Sequence, residues 1–210
     1  MFRITQYMHD LHARVAPGSG ESALRVRSGI APSDGLQASG PRRLPGPVVI
    51  WNLIRRCNLT CKHCYSISAD TDFAGELSTS EAFAVMDDLK RFRVPVLILS
   101  GGEPLLRPDI FDIARRAKDL GFYTALSSNG TLIDASNIER IAAIDFDYVG
   151  VSLDGMGETH DRFRRKQGAF DASLAGIRLC RDLGLKVGVR FTMTQDNAHD
   201  FEALLRLVER

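Results

Sequence analysis

The sequence predicts an α/β fold in which a parallel β-sheet is covered by helices. Beyond Pro47, short runs rich in Val, Ile, Leu and aromatic residues alternate with longer segments whose apolar residues recur at helical spacing. This alternation is typical of repeated βα units. In addition, each of the first four predicted strands leads directly into polar or glycine-rich residues, as strands do at the ligand-binding edge of such folds.

Composition limits the classes of protein to which the chain can belong. Its 210 residues are 44% hydrophobic and 25% charged, which suits one folded domain and argues against a disordered chain, a collagen or a coiled coil. The 27 basic and 26 acidic side chains leave a net charge of +1, so we expect no nucleic-acid partner. No apolar run of about eighteen residues and no signal-peptide pattern occurs, which predicts a cytoplasmic protein with no membrane partner.

Residues 1–47 are predicted to form an arm before the main domain, residues 48–210. Apolar residues in positions 1–15 recur every three or four residues, which favours a short amphipathic helix. Residues 16–47 are rich in Gly, Pro and Ser and nearly free of aromatic residues. Such a segment buries too little apolar surface to offset its ordering entropy, so we expect a linker there.

Five strands alternating with five helices are expected in the main domain. Ser78, with Glu81 three residues later, forms a capping-box pattern, and Pro108 with Asp109 opens another helix that stops at Gly121. Periodicity alone is compatible with either a doubly wound sheet or a partial barrel. The predicted strands are 48–54, 96–99, 122–126, 148–153 and 187–192, and the predicted helices are 78–93, 108–121, 135–143, 170–183 and 197–210.

Three of the four cysteines, Cys57, Cys61 and Cys64, lie in the loop that follows the first predicted strand. In a reducing cytosol such a cluster favours a metal site over disulfides, which would also leave one of the three unpaired. Thiolates suit zinc or an iron–sulfur cluster, and both normally take four protein ligands in structural or electron-transfer roles. Three ligands on a four-iron cluster leave one iron open, which indicates a reactive site with an external ligand.

A structural zinc site is the alternative interpretation. His63 would be its fourth ligand, but adjacent residues in a tight loop seldom both turn toward one ion, and His63 directly precedes Cys64. A non-catalytic metal-binding module therefore stays open as a second class of function. Colour and metal analysis separate the two, since a four-iron cluster is brown and a zinc site is colourless.

The Cys-x3-Cys-x2-Cys spacing, with a ring-bearing residue before the last cysteine, resembles the cluster-binding loop of radical S-adenosylmethionine (radical SAM) enzymes. The resemblance implies a [4Fe–4S] cluster held by Cys57, Cys61 and Cys64, with S-adenosylmethionine on the fourth iron. It also implies reductive cleavage of that nucleotide to a 5′-deoxyadenosyl radical. The electron would come from a donor of the flavodoxin or ferredoxin type.

A second motif follows at the end of the next predicted strand. Gly101, Gly102, Glu103 and Pro104 resemble the family's motif that hydrogen-bonds the methionyl amine. Two glycines allow a ligand to approach the backbone closely, and a carboxylate accepts hydrogen bonds from an ammonium group. The resemblance therefore implies a cofactor contact at these four residues.

Three further residues match contacts that the family makes with its nucleotide. Ser152 matches a contact to the ribose or the carboxylate, Ser128 matches a nearby polar contact, and Arg164 matches an arginine aimed at the ligand carboxylate. Small polar residues at strand ends also cap the next helix, and this alternative stays open for Ser128.

The resemblance extends over residues 47–210 and implies a partial (β/α)6 barrel of the radical SAM type, truncated after the fifth βα unit. A sixth unit and a cysteine-rich extension with an auxiliary cluster are expected to follow Arg210. Cys180 lies within a predicted helix, where a buried, inert thiol is expected. The remaining histidines have no metal-site spacing and are expected at the surface or in loops; they are His9, His12, His160 and His199.

Residues 2–8, 47–53 and 64–70 resemble the branch of the family that acts in haem d1 biosynthesis. This implies a tetrapyrrole substrate of the didecarboxysirohaem type, with radical attack on propionate side chains. Basic residues at 42–43, 55–56 and 162–166 would pair with its carboxylates, although a solvated charged loop is the alternative. A haem b synthase of the decarboxylating type and a peptide-modifying radical enzyme are the neighbouring alternatives.

Overall fold

A six-stranded sheet forms the centre of the structure, a computed structural model that describes Phe2–Arg3 and residues 46–209. Strands β2 to β6 are parallel, in the spatial order β6-β5-β4-β3-β2, and β1 pairs antiparallel with β6. The five predicted parallel strands are confirmed, each within two residues of its expected ends. The strands are β1 (Phe2–Arg3), β2 (Val49–Asn52), β3 (Val96–Ser100), β4 (Tyr123–Ser128), β5 (Tyr148–Ser152) and β6 (Val187–Phe191).

The five predicted helices are all present, and the described residues contain one more, α4. Its eight residues are mostly polar and its first residue is a glycine without a side-chain cap, so neither periodicity nor a start signal marks it in the sequence. Single 3-10 turns occur at Pro104–Leu106 and Ala198–Asp200. The helices are α1 (Thr79–Arg91), α2 (Ile110–Asp119), α3 (Ile138–Ile144), α4 (Gly157–Arg164), α5 (Ala169–Asp182) and α6 (Phe201–Val208).

The start of the chain differs from the prediction. Phe2 and Arg3 form a strand opposite Phe191 and Arg190, so the helix predicted for residues 1–15 is wrong at these two positions. The rest of that predicted helix, and nearly all of the predicted linker, lie outside the described residues. The boundary between an arm and a main domain at residue 47 stays a prediction.

Helices α1, α2, α3, α5 and α6 pack on one face of the sheet. Alternate strand side chains such as Leu97, Leu126 and Val151 point to this face and are buried with Met86 of α1 and Ile141 of α3. Leu204 of α6 joins Phe191 and Val189 of β6 on the same face. A doubly wound sheet carries helices on both faces, whereas these five of the described helices share one face, as helices do around a partial barrel.

The other positions of β2 to β6 point away from these helices, and we call this side the inner face. Its register places Ile50 beside Ile98, Ile98 beside Ala125 and Ala125 beside Tyr148. Ile50 is 61% exposed, because β2 lies at the edge of the sheet. Among the described helices, none combines the length and the hydropathy that crossing a bilayer would need.

The capping box predicted at the start of α1 is confirmed. The backbone N–H of Glu81 donates to Oγ of Ser78 at 3.3 Å, and the backbone N–H of Ser78 donates to Oε2 of Glu81 at 2.8 Å. The box satisfies two amide groups that the first helical turn would otherwise leave unpaired. It thereby defines where the long loop from β2 ends.

We predict that Ser78→Ala lowers the free energy of unfolding by about 1 kcal/mol, because it removes the acceptor for the Glu81 amide. Urea unfolding followed by circular dichroism measures the change. Ser80→Ala is the matched control, since Ser80 is an exposed serine in the same helical turn. Equal losses in the two variants would contradict a specific role for the cap.

Candidate cofactor site

The cysteine loop, residues 57–64, follows the carboxyl end of β2. It lies at the edge of the sheet where the other parallel strands also end, and we call this edge the rim. Its first residue is held by the backbone, since Cys57 N–H donates to the carbonyl of Ala69 at 3.1 Å. Its middle is held by α4, since Lys62 N–H donates to the carbonyl of Phe163 at 2.9 Å. The loop is therefore fixed between β2 and α4.

The three thiols have different surroundings and form no disulfide. Cys57 is buried, and the loss of hydration on burial raises the pKa of its thiol to about 11. Nη1 of Arg164 donates to Sγ of Cys61 at 3.4 Å. Cys64 is exposed, and its thiol donates to the carbonyl of Ser66 at 3.1 Å. The three thiols therefore differ in burial, from buried at Cys57 to exposed at Cys64.

The donor set fits a four-iron cluster better than one metal ion. Within the described residues, no group of three or more His, Cys, Asp or Glu is placed to hold a single ion. A four-iron cube takes each thiolate on a separate iron, so its ligands need not converge on one point. Two buried nitrogens beside the loop, Nδ1 of His63 and Nε of Arg164, have no partner among the described residues.

Gly101 and Gly102 bring the end of β3 against the strand that leads into the cysteine loop. A Cβ on Gly101, whose φ is +152°, would lie 2.4 Å from the carbonyl oxygen of Ile54. A Cβ on Gly102 would lie 2.3 Å from the carbonyl oxygen of Arg56. Hydrogen bonds from Gly102 N–H to Ile54 and from Glu103 N–H to Arg56 close this contact. The glycines therefore serve the packing of the rim, in addition to any ligand.

The carboxylate of Glu103 is directed into the protein. It is fully buried and accepts hydrogen bonds from Ser128 Oγ at 2.9 Å, Asn129 N–H at 2.8 Å and Leu105 N–H at 3.2 Å. Burial raises the pKa of Glu103 more than these hydrogen bonds lower it. The predicted contact between Gly101, Gly102, Glu103, Pro104 and a ligand ammonium group stays a prediction.

Of the other predicted cofactor residues, two are buried in turns and two lie at the ends of β5 and α4. Ser128 is buried, donates to Glu103 and accepts from Gly130 N–H at 2.9 Å, so its hydroxyl stabilises the turn after β4. It does not cap the next helix, whose N-cap is Asn137. Pro104 is also buried and opens a 3-10 turn. Ser152 is partly exposed at the end of β5, and Arg164 reaches Cys61 from the end of α4.

Asp154 is the residue that sequence reasoning missed. Its carboxylate is buried and pairs with Nη2 of Arg164 and with Nε2 of His63, the latter at 3.1 Å, while Thr192 N–H donates to Oδ1 at 2.8 Å. Burial opposes its charge, but the hydrogen bond from His63 and the charge of Arg164 outweigh burial and hold its pKa below the ordinary value. Its place after Ser152 in a Ser-Leu-Asp-Gly turn was the available signal.

His160 is not at the surface as predicted, because α4 turns it inward beneath Asp154. It is fully buried, and its Nδ1 accepts a hydrogen bond from Asp154 N–H at 3.0 Å. Burial, together with the charge of Arg164, lowers its pKa to about 4, so the ring is neutral near pH 7. His199 is exposed as expected, and His9 and His12 lie outside the described residues.

Cys180 is buried in α5, as predicted for an inert thiol away from the site. Desolvation raises its pKa to about 11. It belongs to the core between the sheet and the helices and not to the rim. It therefore provides a matched control for substitutions in the cysteine loop.

A side-chain relay connects the turn after β4 to the first cysteine. Nδ2 of Asn129 donates to Asn58 Oδ1 at 2.9 Å and lies 3.9 Å from Sγ of Cys57. Oδ1 of Asn129 accepts from Thr131 N–H at 2.8 Å, and Asn58 in turn donates to Thr131 Oγ1 at 2.9 Å. The relay orients Cys57 because every amide group in it has a partner.

We predict that Asp154→Asn lowers the free energy of unfolding at pH 7 by about 3–5 kcal/mol, because Arg164 loses its buried counter-charge. A depressed pKa stabilises the fold fully above the ordinary value of 3.8, and this contribution disappears as the pH falls through the folded-state pKa. The difference from wild type should therefore stay constant from pH 7 to about 5 and shrink below 3.8.

Urea unfolding across this pH range measures the effect. Asp196→Asn is the control, since Asp196 is exposed. A loss at pH 7 no larger than that of the control would show that the buried pair adds no stability.

We predict that Asn129→Leu, which keeps the volume of the side chain, costs about 1–3 kcal/mol because the relay loses its central amide. The variant should also retain less iron after anaerobic reconstitution, since Cys57 is no longer oriented. Iron analysis and urea unfolding of the iron-free protein measure the two effects separately. Gln195→Leu is the control for replacing an exposed amide, and unchanged iron content in Asn129→Leu would contradict the role of the relay.

Comparison with known proteins identifies relatives over most of the chain. A model of the radical SAM superfamily matches residues 51–208. A pre-heme d1 synthase from Dinoroseobacter shibae is 47% identical over 209 residues, which cover 100% of this chain and 46% of that protein. An Fe-coproporphyrin III synthase from Methanosarcina barkeri is 47% identical over 178 residues, 85% of this chain and 44% of that protein. The chain spans about half the length of the curated relatives it matches.

Among solved structures, Streptococcus suis SuiB bound to S-adenosylmethionine matches with a TM-score of 0.67 and 19% identity, covering 77% of this chain and 37% of that one. At this identity the likeness concerns the fold alone, and it agrees with the partial barrel that the helix placement indicates. Members of the matched superfamily use a [4Fe–4S] cluster and S-adenosylmethionine. The extent of the family match and the rim that carries Cys57, Cys61 and Cys64 lead to one conclusion: the chain belongs to the radical SAM superfamily.

Proposed function

We propose that this chain is the catalytic core of a radical SAM enzyme that modifies the propionate side chains of an iron tetrapyrrole in haem d1 biosynthesis. The observation that carries the proposal is the rim itself. Three free thiols lie in one loop there, with Arg164 in contact with Cys61. At the same rim Ser152 is partly exposed, whereas Glu103 and Ser128 are buried.

The three cysteines would hold a [4Fe–4S] cluster. When it is bound and reduced, the cluster supplies one electron to S-adenosylmethionine, so that the nucleoside can take a hydrogen atom from an unactivated C–H bond of the substrate. Propionate C–H bonds have no acidic proton for a general base, so this chemistry suits them. A donor of the flavodoxin or ferredoxin type would deliver the electron.

The chain's own residues would position these groups and exclude water. Asp154 fixes the guanidinium of Arg164 beside Cys61, which provides a positive charge next to one cluster ligand. His63 and Lys62 fix the loop itself to Asp154 and to α4. These contacts restrict the guanidinium and the loop, and groups that are held in place in this way lower the entropic cost of binding.

The choice of a tetrapyrrole is supported by the two relatives at 47% identity, a pre-heme d1 synthase and an Fe-coproporphyrin III synthase. The pre-heme d1 synthase matches over 100% of this chain, which favours a role in haem d1 biosynthesis and a didecarboxysirohaem-type substrate. The second candidate function is propionate decarboxylation of the kind that haem synthases perform, favoured by the equal identity of the second relative. Mass spectrometry of products from each tetrapyrrole offered separately distinguishes the two candidates.

We predict that Cys57→Ala, Cys61→Ala and Cys64→Ala each abolish the brown cluster and the formation of 5′-deoxyadenosine, because each removes one of the three iron ligands. Anaerobic reconstitution, iron analysis and product chromatography after reduction measure these effects. Cys180→Ala should keep both, since Cys180 lies in the core. Bound zinc in place of iron, or a fourth protein ligand in the electron paramagnetic resonance spectrum, would refute the proposal.

A further inference from the structure

Two of the three loop cysteines have a side-chain donor from another part of the chain beside their sulfur. At Cys61 the donor is the guanidinium of Arg164, whose Nη1 donates to Sγ at 3.4 Å. At Cys57 it is the neutral amide of Asn129, at the longer distance of 3.9 Å. Cys64 is exposed, and its described contacts are with residues two and four positions further along the chain. Among the described contacts, Cys61 is therefore the loop cysteine whose sulfur has a charged donor.

The guanidinium of Arg164 is held in one orientation by a second contact. Its side chain is 9% exposed, and Nη2 pairs with the buried carboxylate of Asp154. The contact to Cys61 uses the other terminal nitrogen, so one planar fork makes both contacts. Asp154 is itself fixed, because His63 and Thr192 also donate to it. The donor at Cys61 is therefore part of a fixed arrangement and not a charge on a surface side chain.

The charged groups near the sulfur of Cys61 place a cation in contact with it. Asp154 is ionised near pH 7, since its pKa is held below the ordinary value. His160 lies beneath Asp154 and is neutral at that pH, because burial and the charge of Arg164 lower its pKa to about 4. The carboxylate pairs with Nη2 of Arg164, whereas Nη1 lies at the sulfur. The cation of this ion pair, and not its anion, therefore contacts the sulfur.

A hydrogen-bond donor at a ligand sulfur favours the reduced state of an iron–sulfur cluster. Hydrogen bonds to the sulfurs and net charge are among the factors that set the reduction potential. Reduction adds one electron, which the external electron donor supplies, and makes the ligand sulfurs more negative. A charge-assisted hydrogen bond strengthens with the charge of its acceptor, and the low dielectric of a buried site increases the effect. The contact at Cys61 is therefore expected to be stronger after reduction than before it.

We propose that Arg164 raises the reduction potential of the cluster through the hydrogen bond that it donates to Cys61. This inference rests on the proposed function, because it takes the three cysteines to bind a [4Fe–4S] cluster. It assigns Arg164 a role toward the cluster itself, whereas the family resemblance implies a contact with the carboxylate of S-adenosylmethionine. The two roles predict different results in the absence of the nucleotide, so the potential is measured without it.

Redox titration of the anaerobically reconstituted protein, followed by electron paramagnetic resonance, measures the potential. At a fixed solution potential, Arg164→Gln should lower the ratio of reduced to oxidised cluster about tenfold, because the charged donor is lost. For a one-electron couple this ratio corresponds to a potential about 59 mV lower. Arg164→Lys should lie between the wild type and Arg164→Gln, since an ammonium group keeps the charge but lacks the planar fork that contacts both Asp154 and Cys61.

Arg162→Gln is the matched control, since it removes the same charge from an exposed arginine of the same helix. It should keep the potential of the wild type, because Arg162 donates to no cysteine sulfur among the described contacts. An equal fall in potential in Arg162→Gln and Arg164→Gln would show only the general effect of removing a charge from α4, and it would overturn the proposal.

Pulsed electron paramagnetic resonance of the reduced wild-type cluster needs no variant. The protein is labelled with arginine that carries the heavy nitrogen isotope in its guanidinium group alone, and no nucleotide is added. A nitrogen coupling that changes with the label is expected, because Nη1 of Arg164 lies next to a ligand sulfur. Absence of any arginine coupling would overturn the inference, even where Arg164→Gln does not fold or does not bind iron.

The remaining outcomes separate this inference from the proposed function. If Arg164→Gln keeps the wild-type potential and only binds S-adenosylmethionine more weakly, Arg164 serves the nucleotide alone, so the inference is overturned and the proposed function stands. If the wild type takes up zinc or forms no four-iron cluster, the proposed function fails and the inference fails with it. A lower potential without nucleotide in Arg164→Gln, but not in Arg162→Gln, supports the inference whatever happens to nucleotide binding.

Discussion

The buried carboxylate of Asp154 is the contact on which the geometry of the rim depends. It joins the cysteine loop through His63, helix α4 through Arg164 and the end of β6 through Thr192. A carboxylate without partners at this depth would be too costly to keep ionised, so the three donors and the charge are required together. One side chain thereby fixes three segments that the sequence places far apart.

The rim contains a second buried carboxylate, Glu103, which is stabilised differently. Its partners are a hydroxyl and two backbone amides, and burial raises its pKa. Asp154 accepts from His63 and pairs with the guanidinium of Arg164, and its pKa is lowered. A direct ion pair together with the ring donor therefore offsets desolvation more fully than neutral donors do. One carboxylate thus orients a cation beside the thiols, whereas the other ties two strand ends together.

Much of the fold followed from local patterns. The five parallel strands, the capping box at Ser78 and the buried thiol of Cys180 were predictable because alternation, capping residues and apolar spacing act within a few residues. Helix α4 was missed because its sequence is mostly polar, and its place depends on Phe163 and Arg164 contacting the cysteine loop. His160 was misjudged for the same reason: tertiary packing, and not its neighbours in sequence, buries it.

The amino-acid sequence by itself determined the order of strands and helices and the loop that carries Cys57, Cys61 and Cys64, because spacing and periodicity are properties of contiguous residues. Only the tertiary structure decided that the helices share one face, that Glu103 turns inward and that Asp154 meets Arg164. Burial and electrostatic pairing depend on which distant segments approach each other. The types of residue at the site could therefore be predicted from the sequence, but the direction in which each side chain points is a result of folding.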